Sequence, residues 1–576
     1  MPDLLSYHRE VMNCWFGTSE GRPFVEYALE EISEKWDERD VFLVEAPTGY
    51  GKSVITATMG LYHLREGFKL ITAFPLRTLL EDQFSKMLNG PRPGSSKGIV
   101  DDPRLLGKRY MHEPGSPFLI RPLTLTTLDT LSLTFFGLPP EELSQIFKSA
   151  QGYGTSYKTR GHFIFSWGSV FLSDLVLDEV HLVADETKSL NFLAALTLIT
   201  MDNRRKVVLM SATVPDSLKG ILRGIAGNRL EVISFSNDLD REFVEGRCGK
   251  EYGIRVVDIE GNRGRIREAL EEGLREGFTR AIVIFNTATG AIEFFKEVKG
   301  LSDMVEGNVI LLHSRFTSED RKEKLYELQR LKERKKPFIL VTTQVIEAGV
   351  DISSDLMISE LAPANSLIQR LGRFLREEKE TNGNVVIWYD GRSLGSRRYG
   401  VYEGELVRST LNFLVKYSDT ISIHLPNGCP TGRKRGFSEL INLIYEGKYS
   451  LNLDRVNEML RPFLNLEGGS IEAAKLFYEL EGSFVREGLI VPVVPKAELD
   501  SGGQLLDLVV PLSFQVFKDC IGSSESCEAI RTDGSQVKAA CGEMKGPRDL
   551  LKLMIREDVA AFIVDAEYSN ELGLVW

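Results

Sequence analysis

Ala46-Pro47-Thr48-Gly49-Tyr50-Gly51-Lys52-Ser53 joins two glycines to a lysine and a hydroxyl. An apolar run, Val41 to Val44, precedes it, and Val54 to Arg65 reads as a helix. Strand, glycine-bearing turn, Lys-Ser and helix form the layout of a phosphate-binding loop. The glycines let backbone N–H groups curl toward phosphate oxygens, and the helix start adds its positive end. Thr48, Gly49, Tyr50, Gly51, Lys52 and Ser53 are therefore expected to hold ATP. Lys52 reaches the β- and γ-phosphates, and the Ser53 hydroxyl ligates Mg²⁺. The first position is Ala46, where the strict pattern has glycine. A second constellation follows the apolar run Leu175-Val176-Leu177: Asp178-Glu179-Val180-His181. A carboxylate at a strand end suits a hard cation, so Asp178 is expected to hold Mg²⁺ as a second metal residue beside Ser53. Glu179 would orient and deprotonate the attacking water. His181 would link that site to the core.

These groups need a scaffold that brings strand ends together. Leu70 to Phe74, Leu123 to Thr127, Leu175 to Leu177 and Val207 to Met210 are further short apolar runs, separated by helical stretches. Such alternation predicts a parallel sheet with helices on both faces, and ligands at the carboxyl ends of its strands. The pattern repeats at Ala281 to Phe285, Val309 to Leu312, Phe338 to Val341 and Val385 to Trp388, without a second phosphate loop. Residues 231–255 are charged and irregular, which puts a boundary there. Residues 1–40 read as helical and amphipathic; Arg22-Pro23-Phe24, about 25 residues before the phosphate loop, could contact a nucleotide base, but it lacks a glutamine for that role and reads at least as well as a packing segment. Stretches 90–117 and 137–160 read as loop-like excursions. After residue 395, helices are followed by β-like pieces. The expected fold is α/β: a first domain over 1–235, a second over 236–395, and a mixed, largely helical C-terminal domain over 396–576.

The 576 residues exceed one core. A net charge of −12 excludes a generally polybasic nucleic-acid binder, so any such site is local. The six cysteines are scattered without a CxxC pair, which argues against a disulfide framework; Cys520, Cys527 and Cys541 read as buried or inert thiols rather than metal ligands. The N-terminus lacks a basic, then apolar leader, and no window is apolar enough to span a membrane. A cytoplasmic protein is expected.

The motifs then stand in a familiar order: APTGYGKS at 46–53, PLRTLLEDQ at 75–83, TLTTLDTL at 124–131, DEVH at 178–181, SAT at 211–213, TTQVIEAGVDIS at 342–353 and QRLGRFLR at 369–376. The set resembles a superfamily 2 helicase with two tandem RecA-like domains. The resemblance implies that Arg77, Thr127 and Thr343 grip the backbone of one nucleic-acid strand. It implies that Ser211 and Thr213 couple hydrolysis to domain movement. Gln344, Glu347, Gly349 and Asp351 would face both ATP and nucleic acid, with Gly349 and Asp351 touching the nucleotide. Gln369, Arg370, Arg373 and Arg376 resemble the arginine-finger motif, with Gln369, Arg373 and Arg376 in catalytic roles. The physical need is clear: a charge from the second domain reaches the γ-phosphate only when the domains close.

DEVH, the QVIEAGVDIS form, QRLGR and the excursions before DEVH look most like the CRISPR-associated helicase of type I interference, the Cas-three family. That family usually carries a histidine–aspartate (HD) nuclease domain. None of the seven histidines here precedes an aspartate, and about 40 residues lie before the phosphate loop. The resemblance is to the split form, and it implies single-stranded DNA, a separate HD nuclease subunit and the crRNA-guided Cascade complex as partners, and no membrane. The alternatives are another superfamily 2 DNA or RNA helicase, or a non-enzymatic docking subunit on the same core.

Overall fold

The computed structural model describes residues 2–576 except 93–95, 111–112, 151–161, 185–186, 348, 431, 433, 466–467, 502–503, 523–525 and 543. Seven strands form the first sheet: β1 (Val41–Glu45), β2 (Lys69–Phe74), β3 (Leu106–Arg109), β4 (Leu123–Thr127), β5 (Ser173–Leu177), β6 (Val207–Ser211) and β7 (Leu230–Ser234). Their order is β3-β4-β2-β5-β6-β1-β7, and every pairing is parallel. The central strands are apolar on both faces because helices cover both. The order matters for chemistry. Glu45, at the end of β1, pairs with Ser211 of β6, and β6 lies beside β5, which runs into Asp178. Phosphate loop, Asp178-Glu179 and Ser211 therefore share one edge of the sheet.

The second sheet holds β8 (Glu251–Asp258), β9 (Arg280–Ile284), β10 (Val309–Leu312), β11 (Phe338–Thr342), β12 (Leu356–Glu360) and β13 (Asn382–Tyr389). Its order is β10-β11-β9-β12-β13-β8, again all parallel. The helix Arg241–Cys248 joins the two sheets.

After the second sheet come two minimal pairings, β14 (Arg398–Tyr399) with β15 (Tyr402–Glu403) and β16 (Ile421–Ser422) with β17 (Arg435–Gly436). The helices Gly404–Tyr417 and Phe437–Tyr445 do not stand apart. Leu411, Phe413, Leu440 and Ile441 pack in one core with Ile282, Leu340 and Ile387 of the second sheet. The packing boundary thus falls later than the expected one near 395. A five-stranded mixed sheet follows: β18 (Ile490–Pro495), β19 (Val510–Ser513), β20 (Cys527–Arg531), β21 (Gln536–Ala539) and β22 (Val559–Val564). It shares a core with the first domain, where Phe136 lies 4.0 Å from Phe484 and 5.7 Å from Phe463, ring centre to ring centre. A final hairpin, β23 (Glu567–Ser569) and β24 (Gly573–Val575), returns to the second domain. There the Tyr568 hydroxyl bonds Thr317 and Asp320, and Lys299 pairs with Glu571.

Three further expectations are corrected. The stretch 90–117 contains β3, an edge strand carrying Lys108 and Arg109, rather than loop alone. The stretch 137–160 contains the helix Leu143–Ala150, while 151–161 lies outside the described residues. The cysteines are also paired: Cys248 with Cys429 and Cys527 with Cys541, their Cα atoms 5.8 and 5.7 Å apart. The first pair is 181 positions apart in sequence, so only the tertiary fold brings it together. Cys14 and Cys520 are free. Among the described residues no helix is long and apolar enough to cross a membrane.

Candidate active site

The phosphate loop runs from β1 into the helix Lys52–Glu66. Gly51 caps that helix at φ +117°, a backbone angle that side chains resist. Lys52 is 9 % exposed, and its ammonium donates to Glu179 Oε1 at 2.8 Å. Glu179 itself adopts φ +51°, a left-handed conformation for a residue with a side chain. Its N–H donates to Asp178 Oδ1 at 2.9 Å, which locks the two carboxylates into one turn.

Electrostatics separates these carboxylates. Burial, then the Glu179 charge, pushes the Asp178 carboxyl up. Burial also pushes Glu179 up, but Lys52, His181 and Arg376 outweigh it and hold Glu179 below the ordinary range. Burial holds the His181 imidazole neutral, at about 4, against the opposing Glu179 charge. His181 Nδ1 lies 2.8 Å from Ser211 Oγ, and Ser211 Oγ accepts from Thr213 N at 3.2 Å. DEVH and SAT are thus one continuous hydrogen-bonded unit.

The second domain closes the other side. Gly372 approaches the Thr48 side chain so closely that a Cβ there would lie 2.9 Å from Thr48 Oγ1. Arg376 lies against Gly49, its Nε 3.6 Å from where a Gly49 Cβ would stand. It also pairs with Asp351 at 3.4 Å, while Asp351 bonds Lys332 at 2.5 Å. Gly349, at φ +78°, brings its loop onto the start of the helix Arg77–Asn89. A Cβ at Gly349 would meet Thr78 Oγ1 at 2.2 Å, so the contact needs glycine. Glu179 Oε2, His181 Nε2, Thr213 Oγ1, Gln369 Nε2 and Arg376 Nη1 are buried without a hydrogen-bond partner. Orphaned polar atoms of this kind are costly in a protein interior and mark a place built for a polar ligand.

The arginines of QRLGRFLR separate into different roles. Arg370 is fully buried, paired with Glu347 at 2.9 Å and bonded to Asn286, Ser359 and Tyr402. Arg373 donates to the carbonyls of Ile346 and Glu347 at 3.1 and 2.9 Å, inside its own domain. Only Arg376 of the three faces the phosphate loop. Gln344 donates to the Asn286 carbonyl, and Thr343 is buried. Thr127 caps the helix Leu128–Phe135 and bonds Thr130, so its hydroxyl is committed there. Arg77 lies over the Tyr110 ring at 4.4 Å and donates to Ser318 of the second domain at 2.9 Å.

Two contacts escaped the sequence reading. Arg22, whose segment reads as packing or as a weak base contact, donates to the Gly49 carbonyl at 3.1 Å and lies over the Tyr50 ring. Arg486, far along the chain, pairs with Asp129 at 2.6 Å and donates to the Pro75 carbonyl. Its position over the ends of β2 and β4 had no local signature.

Two parallel sheets meeting across a phosphate loop and an arginine-bearing strip define a fold of two tandem RecA-like domains. Within that class the chain resembles the Cas3 helicases. Residues 278–379 match the family model described as CRISPR-associated nuclease/helicase Cas3, C-terminal. The CRISPR-associated helicase Cas3 of Thermoproteus tenax is 28% identical over 357 residues, 60% of this chain and 55% of that protein. A Cas3 nuclease/helicase relative from Methanocaldococcus jannaschii is 29% identical over 397 residues, 65% of this chain and 49% of that protein. The chain therefore spans about half the length of these curated relatives. In fold, the crystal structure of T. fusca Cas3 with AMPPNP matches 98% of this chain and 72% of its own, with a TM-score of 0.62 at 16% identity.

Proposed function

We propose that this chain is an ATP-driven translocase on single-stranded DNA that acts in type I CRISPR interference. In this reading it opens target DNA for a separate HD nuclease subunit, recruited through the crRNA-guided Cascade complex. The observation that carries the motor reading is Arg376, held against Gly49 of the other domain with a guanidinium nitrogen buried and unpartnered. An arginine so placed adds positive charge beside the phosphates only while the two sheets are close, so hydrolysis reports domain closure. Lys52 would turn from Glu179 to the nucleotide phosphates. Glu179, released from Lys52, would accept the proton of the attacking water. His181 and Ser211 would carry the resulting change toward Thr213. Mg²⁺ fits the oxygen donors here, since Ser53 at the start of the helix Lys52–Glu66 and Asp178 after β5 supply a hydroxyl and a buried carboxylate on the same edge of the sheet. Such an ion offsets phosphate charge when bound.

The test is ATP hydrolysis by the purified chain, alone and with single-stranded DNA or RNA of equal length. Stimulation by DNA, absent from Lys52→Ala, is the expected result. Equal stimulation by RNA would point to another superfamily 2 motor. No hydrolysis under any condition would leave only a docking subunit.

A further inference from the structure

The helix Arg241–Cys248 does more than connect the sheets, because it touches both walls of the cleft. At its start Asp240 accepts from Phe243 N at 2.9 Å through one oxygen and from the Tyr50 hydroxyl at 2.5 Å through the other. Tyr50 belongs to the phosphate loop, and its ring is enclosed edge-on by Phe24, Phe235 and Phe243. At the far end Arg247, 7 % exposed, donates Nη1 to the Leu375 carbonyl at 3.0 Å. The next residue, Cys248, is bonded to Cys429. One short helix is thus tied to the phosphate loop at one end and to the residue before Arg376 at the other.

Leu375 is where that tie has mechanical meaning. It is fully buried and sits at φ +44°, a left-handed conformation that L side chains resist. Two hydrogen bonds hold it there: its N–H to the Ser354 carbonyl at 2.9 Å, and its carbonyl from Arg247. The following N–H, that of Arg376, donates to Ser353 Oγ at 2.9 Å. Strained backbone persists only where the surroundings over-determine it. Without Arg247, the carbonyl of the Leu375–Arg376 peptide loses its donor, and only the Ser354 and Ser353 bonds oppose relaxation of the strained angle that aims Arg376 at Gly49. A space-filling role is ill served by arginine here, since burial and the charges of Arg22 and Arg376 all disfavour its guanidinium.

We propose that Arg247 is a positioning residue for Arg376, holding Leu375 in its left-handed conformation so that the guanidinium of Arg376 meets the phosphate loop. The inference rests on the reading of Arg376 as the arginine finger. It also makes the linker a gauge: the Tyr50–Asp240 bond and the Arg247–Leu375 bond are made together only at one separation of the two sheets.

The test compares full-length Arg247→Met, Arg247→Met with Leu375→Gly, Arg376→Ala, and Arg247→Met with Arg376→Ala. Each is measured for kcat of DNA-stimulated ATP hydrolysis, Kd for AMPPNP and Tm. Arg247→Met should lower kcat about 10- to 100-fold, as a misplaced catalytic group does, with Kd changed less than about threefold. Leu375→Gly should recover at least about fivefold of that loss, because glycine reaches the left-handed angle without the strain that makes leucine need a pin. Adding Arg247→Met to Arg376→Ala should cost less than about twofold more, as expected of residues acting through one another. A kcat for Arg247→Met within twofold of the parent, beside a slow Arg376→Ala, overturns the positioning role alone. Loss without glycine rescue and additive with Arg376→Ala also overturns it, in favour of general packing. Full activity in Arg376→Ala overturns the arginine-finger reading and the proposal together. Should Arg247→Met not fold, Arg247→Lys is read by the same three criteria, with a smaller loss expected because a donor remains.

Discussion

Glu179 is strained at φ +51° and is held there by Lys52 and by the Asp178 side chain. Lys52→Ala removes both the phosphate ligand and this restraint, so ATP hydrolysis should vanish while DNA binding changes little. Glu179→Gln keeps the shape but cannot take a proton, so it should bind ATP and stall as a DNA-bound complex. Substantial turnover by Glu179→Gln in a radiolabelled-phosphate assay would remove the role assigned to it. The neighbouring arginines predict opposite phenotypes from one motif. Arg376→Ala should lower kcat on the order of 10³-fold with little change in Tm. Arg370→Ala leaves the Glu347 carboxylate buried without its partner and should cost about 3–5 kcal/mol in denaturant unfolding. The motif read as sequence places all three arginines in a finger-like strip. It does not say which guanidinium turns inward, because Glu347, Asn286 and Tyr402, which capture Arg370, come from three other parts of the chain. Lys52, Asp178, Glu179 and His181, by contrast, were legible because each lies in a short contiguous motif that closely follows an apolar strand.

At the scale of elements, legibility follows burial. Strands buried on both faces, such as β1, β5, β6 and β11, appear in the sequence as uninterrupted apolar runs. β3, β7 and β8 lie at sheet edges, carry charged residues and were lost among loops. β12 is central and apolar, but short and hidden between two motifs. The hairpin β23–β24 was invisible because its only reason to fold is the surface on which it docks. That docking carries a pH dependence. The Arg315 N–H donates to His313 Nδ1 at 3.1 Å, and His313 Nε2 faces the Leu572 carbonyl at 3.1 Å, so the neutral Nε2–H tautomer satisfies both. Burial, then the Arg315 charge, holds this imidazole down at about 3. A folded pKa below the unfolded value means full stabilisation above about pH 6.5 and progressive loss as pH falls toward the folded value, by up to about 1.4 kcal/mol per pH unit. Amide exchange across 567–575, corrected for intrinsic rates, should therefore speed up between pH 7 and pH 5. His313→Gln should remove that dependence; an unchanged pH response in the variant would assign it elsewhere.

At the scale of the molecule, the C-terminal part bridges the two parallel-sheet domains. Arg486, Phe463 and Phe484 sit on the first domain, while Tyr568 and Leu572 sit on the second. In the proposed cycle, domain closure would have to be accommodated by this bridge as well as by the linker helix. On the proposed function, the net charge of −12 would confine nucleic-acid contact to a local surface and leave much of the affinity to partners. The final prediction concerns chemistry outside the motor. Cutting a phosphodiester by the two-metal route takes ligands for two ions about 4 Å apart, commonly histidine and aspartate. No histidine in this sequence precedes an aspartate, and His181 is spent on Ser211. His63 is likewise bound to Asp174 inside the first domain, where its other nitrogen meets the Met59 carbonyl. Among the described residues no group of three or more His, Cys, Asp or Glu is placed to hold a metal. The purified chain should leave single-stranded circular DNA intact with ATP and Mg²⁺, Mn²⁺ or Ni²⁺. Cleavage should begin when a separate HD nuclease is added, and its progress along the strand should require Lys52 and Glu179. Nicking that co-purifies with the chain through successive columns and survives Lys52→Ala would place a nuclease within this polypeptide and overturn the division of labour.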